Sequence, residues 1–243
     1  MTRLVPVAAA LCVLGPLAPA APPGKFTFVD LKPYANQKLT DNFGSGREGN
    51  HLKELRQGGR TFEGVNFKIG EGVVHLGSRL LAAEKPNKVA GIKVGQTCAK
   101  IHILHATGYG NGQTVGEEGK DGDPQFVADG TRIAEYQIRY ADGTSASIPV
   151  VYGKDVRDWW FTERSKGLTR GKVVWRGDNE LARELGSRIR LYLTSWDNPH
   201  PDRKVASIDY VKTQPDSPAA PFCVAITLEA KSPAQGKGSA KLP

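Results

Sequence analysis

AEYQIRYADGTSASIPVVYGKDVRDWW, residues 134–160, decides the fold class. Tyr136, Ile138 and Tyr140 alternate with Glu135, Gln137 and Arg139, so one face can enter a core while the other meets water. Asp142-Gly143 follows, a dipeptide that readily takes positive φ at both central positions of a two-residue turn. Alternation resumes through Ala146, Ile148 and Val150, and the whole predicts a β-hairpin. A second stretch, LYLTSWDNPHPDRKVASIDYV (191–211), repeats the pattern. Ile189, Leu191 and Leu193 lie on one face of a strand, an irregular loop runs over 196–201, and Ala206, Ile208 and Tyr210 mark the next strand.

Working outward, strand-like segments recur at 26–31, 61–69, 72–76, 88–94, 97–105, 172–175, 188–196, 204–211 and 222–228. Only 179–185 and 51–55 offer a turn or two of helix. Many short strands, with 28 glycines and 16 prolines between them, predict an all-β, antiparallel sandwich or barrel.

The ends read differently. Met1-Thr2-Arg3, an apolar run over 4–17 and Ala18-Pro19-Ala20 have the three parts of a secretory signal peptide, so 1–20 is expected to be a leader and the mature chain secreted or periplasmic. That run is short of the ~20 apolar residues a membrane helix needs, and no later segment is longer. A β domain over 25–229 follows, and then a basic tail, 230–243, with almost nothing to bury and an expectation of disorder.

The formal charge is +8 for the 243 residues, and loss of Arg3 leaves 8 − 1 = +7. A basic surface favours acidic partners such as anionic polysaccharide. The Lys and Arg residues are scattered and not interleaved with aromatics, which argues against nucleic acid as a partner. Cys98 and Cys223 remain after leader cleavage; one bridge or two buried free thiols account equally for them.

Six motifs in order resemble the galactose-binding-domain-like modules of secreted bacterial proteins. They are Phe-Thr-Phe-Val-Asp-Leu (26–31), Gly-Val-x-Phe-x-Ile (64–69), Leu-His-Ala (104–106), Tyr-Ala-Asp-Gly-Thr (140–144), Gly-x-Asp-Val-x-Asp-Trp (153–159) and Trp-x-Asn-Pro-x-Pro (196–201). The resemblance covers most of 26–228 and implies a jelly-roll β-sandwich with one or two short helices. Such modules accompany glycoside hydrolases or stand alone, so it also implies carbohydrate binding through rim loops.

Candidate contacts follow from chemistry. An aromatic ring stacks on the apolar face of a sugar, and Trp159, Trp160, Trp175 and Trp196 are available. Adjacent Trp159 and Trp160 point to opposite faces if extended, so one of them needs a partner outside the core. The expected ligand set is Trp160, Trp196, Asn198, Arg157, Asp158 and Tyr109. The polar, glycine-rich segment 108–130 carries Asp121 and Asp123, the weak candidates for a structural calcium; no other cofactor is indicated.

Catalytic patterns are thin. Glu117, Glu118, Asp155 and Asp158 could pair for glycoside hydrolysis, but their spacing is not readable. His102 and His105, three apart on a strand, face opposite sides and do not make a metal pair. No Gly-x-Ser-x-Gly elbow is present. The reading is a secreted, non-catalytic carbohydrate-binding module, with an envelope or matrix protein-interaction module and a glycoside hydrolase as alternatives.

Overall fold

The computed structural model describes residues 25–44, 47–81, 84–111 and 125–231. The expected leader, the tail beyond Lys231, and Glu117, Glu118, Asp121 and Asp123 lie outside the described residues. In chain order the strands are β1 (Phe26–Phe28), β2 (Gln37–Lys38), β3 (Gly58–Phe62), β4 (Val65–Ile69), β5 (Gly72–His75), β6 (Lys88–Gln96) and β7 (Lys100–Gly108). Then come β8 (Arg132–Tyr140), β9 (Ser145–Val151), β10 (Trp160–Phe161), β11 (Lys172–Gly177), β12 (Arg188–Asp197), β13 (Val205–Lys212) and β14 (Ala220–Glu229).

The large sheet runs β10-β12-β7-β14-β5-β2, with β1 added to β14 and β11 to β12. The small sheet runs β6-β13-β8-β9, and β3-β4 is a separate hairpin. The protein is all-β, its antiparallel sheets curled into a half-barrel as in a β-sandwich. Among the described residues helix is confined to α1 (Glu180–Glu184) and a 3-10 turn at Lys32–Tyr34, and 51–55 forms turns. The α1 start is set by Asn179, whose side chain accepts from the Ala182 amide at 2.8 Å.

The deciding hairpin folds as its polarity pattern requires. Tyr136, Ile138 and Tyr140 are buried, Ile138 pairs with Ile208, and Tyr136 with Tyr210. The last two rings stack 4.4 Å apart at 5°. Its turn differs from the expected two-residue form. Only Gly143 has positive φ, 86°, and the Tyr140 amide bonds to the Thr144 carbonyl around a three-residue loop. The Asp142 carboxylate supplies the missing order by accepting from both the amide and the hydroxyl of Thr144.

One other expectation is corrected. Segment 61–69 is not one strand: Glu63 (φ 50°) and Gly64 (φ 75°) turn it back as β3-β4. Strands β7 and β14 do not alternate, because nearly every residue in them is buried. The small sheet covers one face, and on the other the β3-β4 hairpin lies over part of β14, with the Thr227 hydroxyl donating to the Asn66 carbonyl at 2.8 Å.

Cys98 and Cys223 are free and buried. Cys223 pairs with His105, seven residues along β7 from the end where Cys98 sits. That separation is on the order of 20 Å, far beyond disulfide reach. Burial raises the Cys98 thiol to about 11 and the Cys223 thiol to about 12. Both should therefore be silent to Ellman's reagent at pH 8 and react on addition of guanidinium; a fast-reacting folded thiol at either position would contradict this burial.

Candidate functional site

The residues expected to form one binding rim fall at opposite ends of β12. Trp160 pairs with Ile189 at its start, whereas Trp196 pairs with Ile101 near its finish, seven residues or roughly 23 Å further on. One sugar cannot touch both. Trp196 also belongs to the strand rather than to a loop, and its half-buried ring packs on the core.

Each remaining member of that set is engaged by the protein itself. Trp160 donates from Nε1 to Asn50 Oδ1 at 2.9 Å and packs on the core, while Trp159 is buried against Phe43 and Phe222. Asn198 is a buried corner brace. Its Oδ1 accepts from the Tyr140 hydroxyl at 2.5 Å and the His200 amide, and its Nδ2 donates to the carbonyls of Cys98 and His200. Buried Arg157 lies over the Tyr152 ring, donating to the Gly167 carbonyl and to Asp129. Buried Asp158 accepts from the Trp160 amide at 2.8 Å. Half-buried Tyr109 holds a left-handed φ of 51°. Asp155, considered for hydrolysis, is locked to Arg170.

A different set gathers on the outer face of the large sheet. Directly opposed residues of neighbouring strands share a face. Register places Ser195 (β12) opposite His102 (β7), His102 opposite Thr227 (β14), and Lys100 opposite both Asp197 and Glu229. Three strands thus present serine, histidine and glutamate side by side. His102 Nδ1 lies 2.7 Å from Ser195 Oγ, and His102 Nε2 lies 2.9 Å from Glu229 Oε2.

An ionised carboxylate only accepts, so Nε2 carries the proton given to Glu229, and the lone pair on Nδ1 of the neutral ring accepts from the Ser195 hydroxyl. The neutral ring is favoured by burial, which lowers the His102 pKa against the raising influence of Glu229; Lys100 and Lys25 lower it further. Phe26 closes one side of the imidazole, edge-on at 6.1 Å. Ser195, by contrast, is exposed.

These groups floor a cleft of about 390 Å³ between the sheet, the β3-β4 turn and the start of β1. Its lining includes the cations Lys25, Lys100, Arg170 and Lys172 against the carboxylates Glu63 and Glu229. Each cation has an acidic neighbour: Lys25 with Glu229, Lys100 with Asp197, Arg170 with Asp155 and Lys172 with Glu63. The pairs of Lys25, Lys100 and Lys172 lie at the surface, where such contacts are weak and readily exchanged for a ligand anion. Beside the cleft, Phe28 shares the outer face with Thr227, two residues from Phe26. At 41% it is, with Leu185 at 43%, one of two large hydrophobic side chains exposed among the described residues.

His105 follows its predicted opposite course, into the core, bonded to Thr194 and Tyr136 and lowered by burial to about 4. A second cleft, about 440 Å³ by Phe126, Val127 and residues 214–218, has Asp216 as its one charged lining group and no comparable chemistry. Among the described residues no His, Cys, Asp or Glu group is arranged to hold a metal ion, and no helix is long and apolar enough to cross a membrane. No family model, curated protein or solved structure matches the chain.

Proposed function

We propose that the protein is a carbohydrate-binding β-sandwich that holds an acidic saccharide chain in the outer-face cleft. The observation that carries this reading is the exposed Phe28 ring, two residues along β1 from half-buried Phe26, which itself lines a cleft with Lys25, Lys100, Arg170 and Lys172. A lone exposed ring is ordinary on a protein surface; this one carries weight because it lies two residues from Phe26 on the same face as the charged lining. A flat apolar ring beside charged donors suits a sugar, which has an apolar face and a hydroxyl or carboxylate edge. The net basic charge supplies attraction at longer range. The order of the six motifs resembling galactose-binding-domain-like modules supports the same class of ligand, and secretion through a leader would place the module where such chains occur.

The test is retardation of the protein in gels containing alginate, a polyuronate, against neutral dextran. Retardation by alginate is expected, and Phe28→Ala should weaken it about tenfold, equivalent to ~1.4 kcal/mol. Binding should survive moderate salt in part, because stacking is not screened. Complete loss of binding in moderate salt, with no difference between alginate and a sulfated synthetic polymer, would favour a protein-interaction module and reject the saccharide.

A further inference from the structure

Ser195 opens on the cleft at one end of a hydrogen-bonded relay whose other two members are held by separate strands. We infer that the cleft hydrolyses esters, with Ser195 as nucleophile, His102 as general base and then general acid, and Glu229 as the residue positioning the imidazole. The substrate class, an acyl ester carried on an anionic saccharide, rests on the binding reading above.

Geometry carries the argument. The exposed hydroxyl donates to a buried imidazole at 2.7 Å, and the imidazole donates to a carboxylate at 2.9 Å, so nucleophile, base and orienting acid stand in a line. The ring face used toward serine is Nδ1 and that toward glutamate is Nε2, which is chemically equivalent because either nitrogen can hold the lone pair. All three residues sit on strands of one sheet, which fixes their spacing more tightly than loops would. Phe26 shields the imidazole, and Lys25 and Lys100 oppose its protonation before reaction.

In the reaction, the Ser195 proton passes to His102 Nδ1 while Oγ bonds to the ester carbonyl carbon. His102, then doubly protonated, is stabilised by Glu229. The tetrahedral oxyanion has the cationic rim as its counter-charge. Collapse breaks the bond to the alcohol oxygen, which takes the proton from His102. Water repeats the sequence on the acyl-serine, releasing a carboxylic acid and the free serine, with no cofactor and no change of oxidation state.

The test uses the full chain with four parallel readouts: labelling by a fluorophosphonate mapped by peptide mass, turnover of p-nitrophenyl acetate, acetate release from acetylated alginate, and retardation by unmodified alginate. A single adduct on Ser195 and measurable acetate release are expected. Ser195→Ala and His102→Gln should each lower both at least 100-fold while melting remains cooperative. Glu229→Gln should lower kcat ten- to 100-fold with KM within twofold, the signature of a positioning residue. An adduct elsewhere, or one that persists in Ser195→Ala, overturns the proposal. Alginate retardation without labelling or acetate release overturns ester cleavage alone and leaves the binding reading standing. Labelling and turnover of p-nitrophenyl acetate without alginate retardation overturns the saccharide and supports the nucleophile.

Discussion

Arg170→Met should lower the unfolding free energy by about 3–5 kcal/mol, because it strands a carboxylate in the interior. The Asp155 side chain is 0% exposed, while the Arg170 side chain is 49% exposed. The pair is bidentate, Nε to Oδ1 at 2.5 Å and Nη2 to Oδ2 at 2.6 Å, and Oδ2 also accepts from the Val151 amide at 2.8 Å. Removal of either member is unequal in effect. Asp155→Asn leaves a guanidinium that can turn to water, so it should cost roughly half as much. For a domain of this size the Arg170→Met loss corresponds to a fall in Tm of roughly 6–20 °C. The double variant should recover part of that loss, since no buried charge is then left alone; a double variant less stable than Arg170→Met would show that the pair is not the reason.

The same contact connects stability to the cleft. The Arg170 and Gly171 amides both bond to the Lys154 carbonyl, and a Cβ on Gly171 would stand 2.2 Å from the Asp155 carbonyl oxygen. Residues 154–155 and 170–171 are therefore strapped together with no room between them. That strap delivers Arg170 and Lys172 to the cleft wall, so loss of the pair should also loosen the cationic lining.

The core was readable where burial is one-sided. Period-two polarity marks Tyr136, Ile138, Ile208 and Tyr210 correctly, since each strand of the small sheet keeps a wet face. The same rule fails at β7 and β14, which are buried on both faces: the β3-β4 hairpin lies over part of β14, Phe43 and Trp159 pack on Phe222, and nothing local to those strands announces that cover. The turn at Glu63-Gly64 was missed because glutamate seldom takes positive φ. The candidate site was unreadable for a topological reason. His102 is 93 residues from Ser195 and 127 from Glu229, and only the pairing of β7 with β12 and β14 brings them together. Tryptophan drew attention because it is the largest stacking ring, yet its size is also why Trp159 is placed in the core. Phe28 on a three-residue edge strand is the aromatic left uncovered.

Asp158→Asn should remove a fall in stability between about pH 4 and 7, and raise Tm above that of the native chain at pH 8. Asp158 is buried, and desolvation pushes its carboxyl from 3.8 up to about 7 against the lowering influence of the Trp160 amide and Arg190. Below pH ~4 the carboxyl is protonated in both folded and unfolded chains and contributes its full stability. As pH rises, the unfolded chain loses the proton first, so it binds fewer protons than the folded one, and stability falls until the folded carboxyl ionises at about 7. The total is on the order of 4 kcal/mol, from about three pK units. Asparagine keeps an oxygen to accept from the Trp160 amide and never charges. His75 and His105, lowered by burial to about 3 and about 4, act with the opposite sign, losing stability as pH falls through the unfolded value of 6.5. The measurement is therefore the difference in unfolding free energy between the two proteins across pH 4–8, in which the histidine contributions cancel. Arg190 is the competing consideration. Among the described residues its Nη2 has no hydrogen-bond partner, and its guanidinium lies 5.0 Å from the Phe161 ring and 5.3 Å from that of Tyr192, contacts that offset part of its charge. An asparagine variant less stable than the native chain at pH 8 would mean that ionised Asp158 serves as the counter-ion of Arg190, and that this attraction outweighs the cost of its burial.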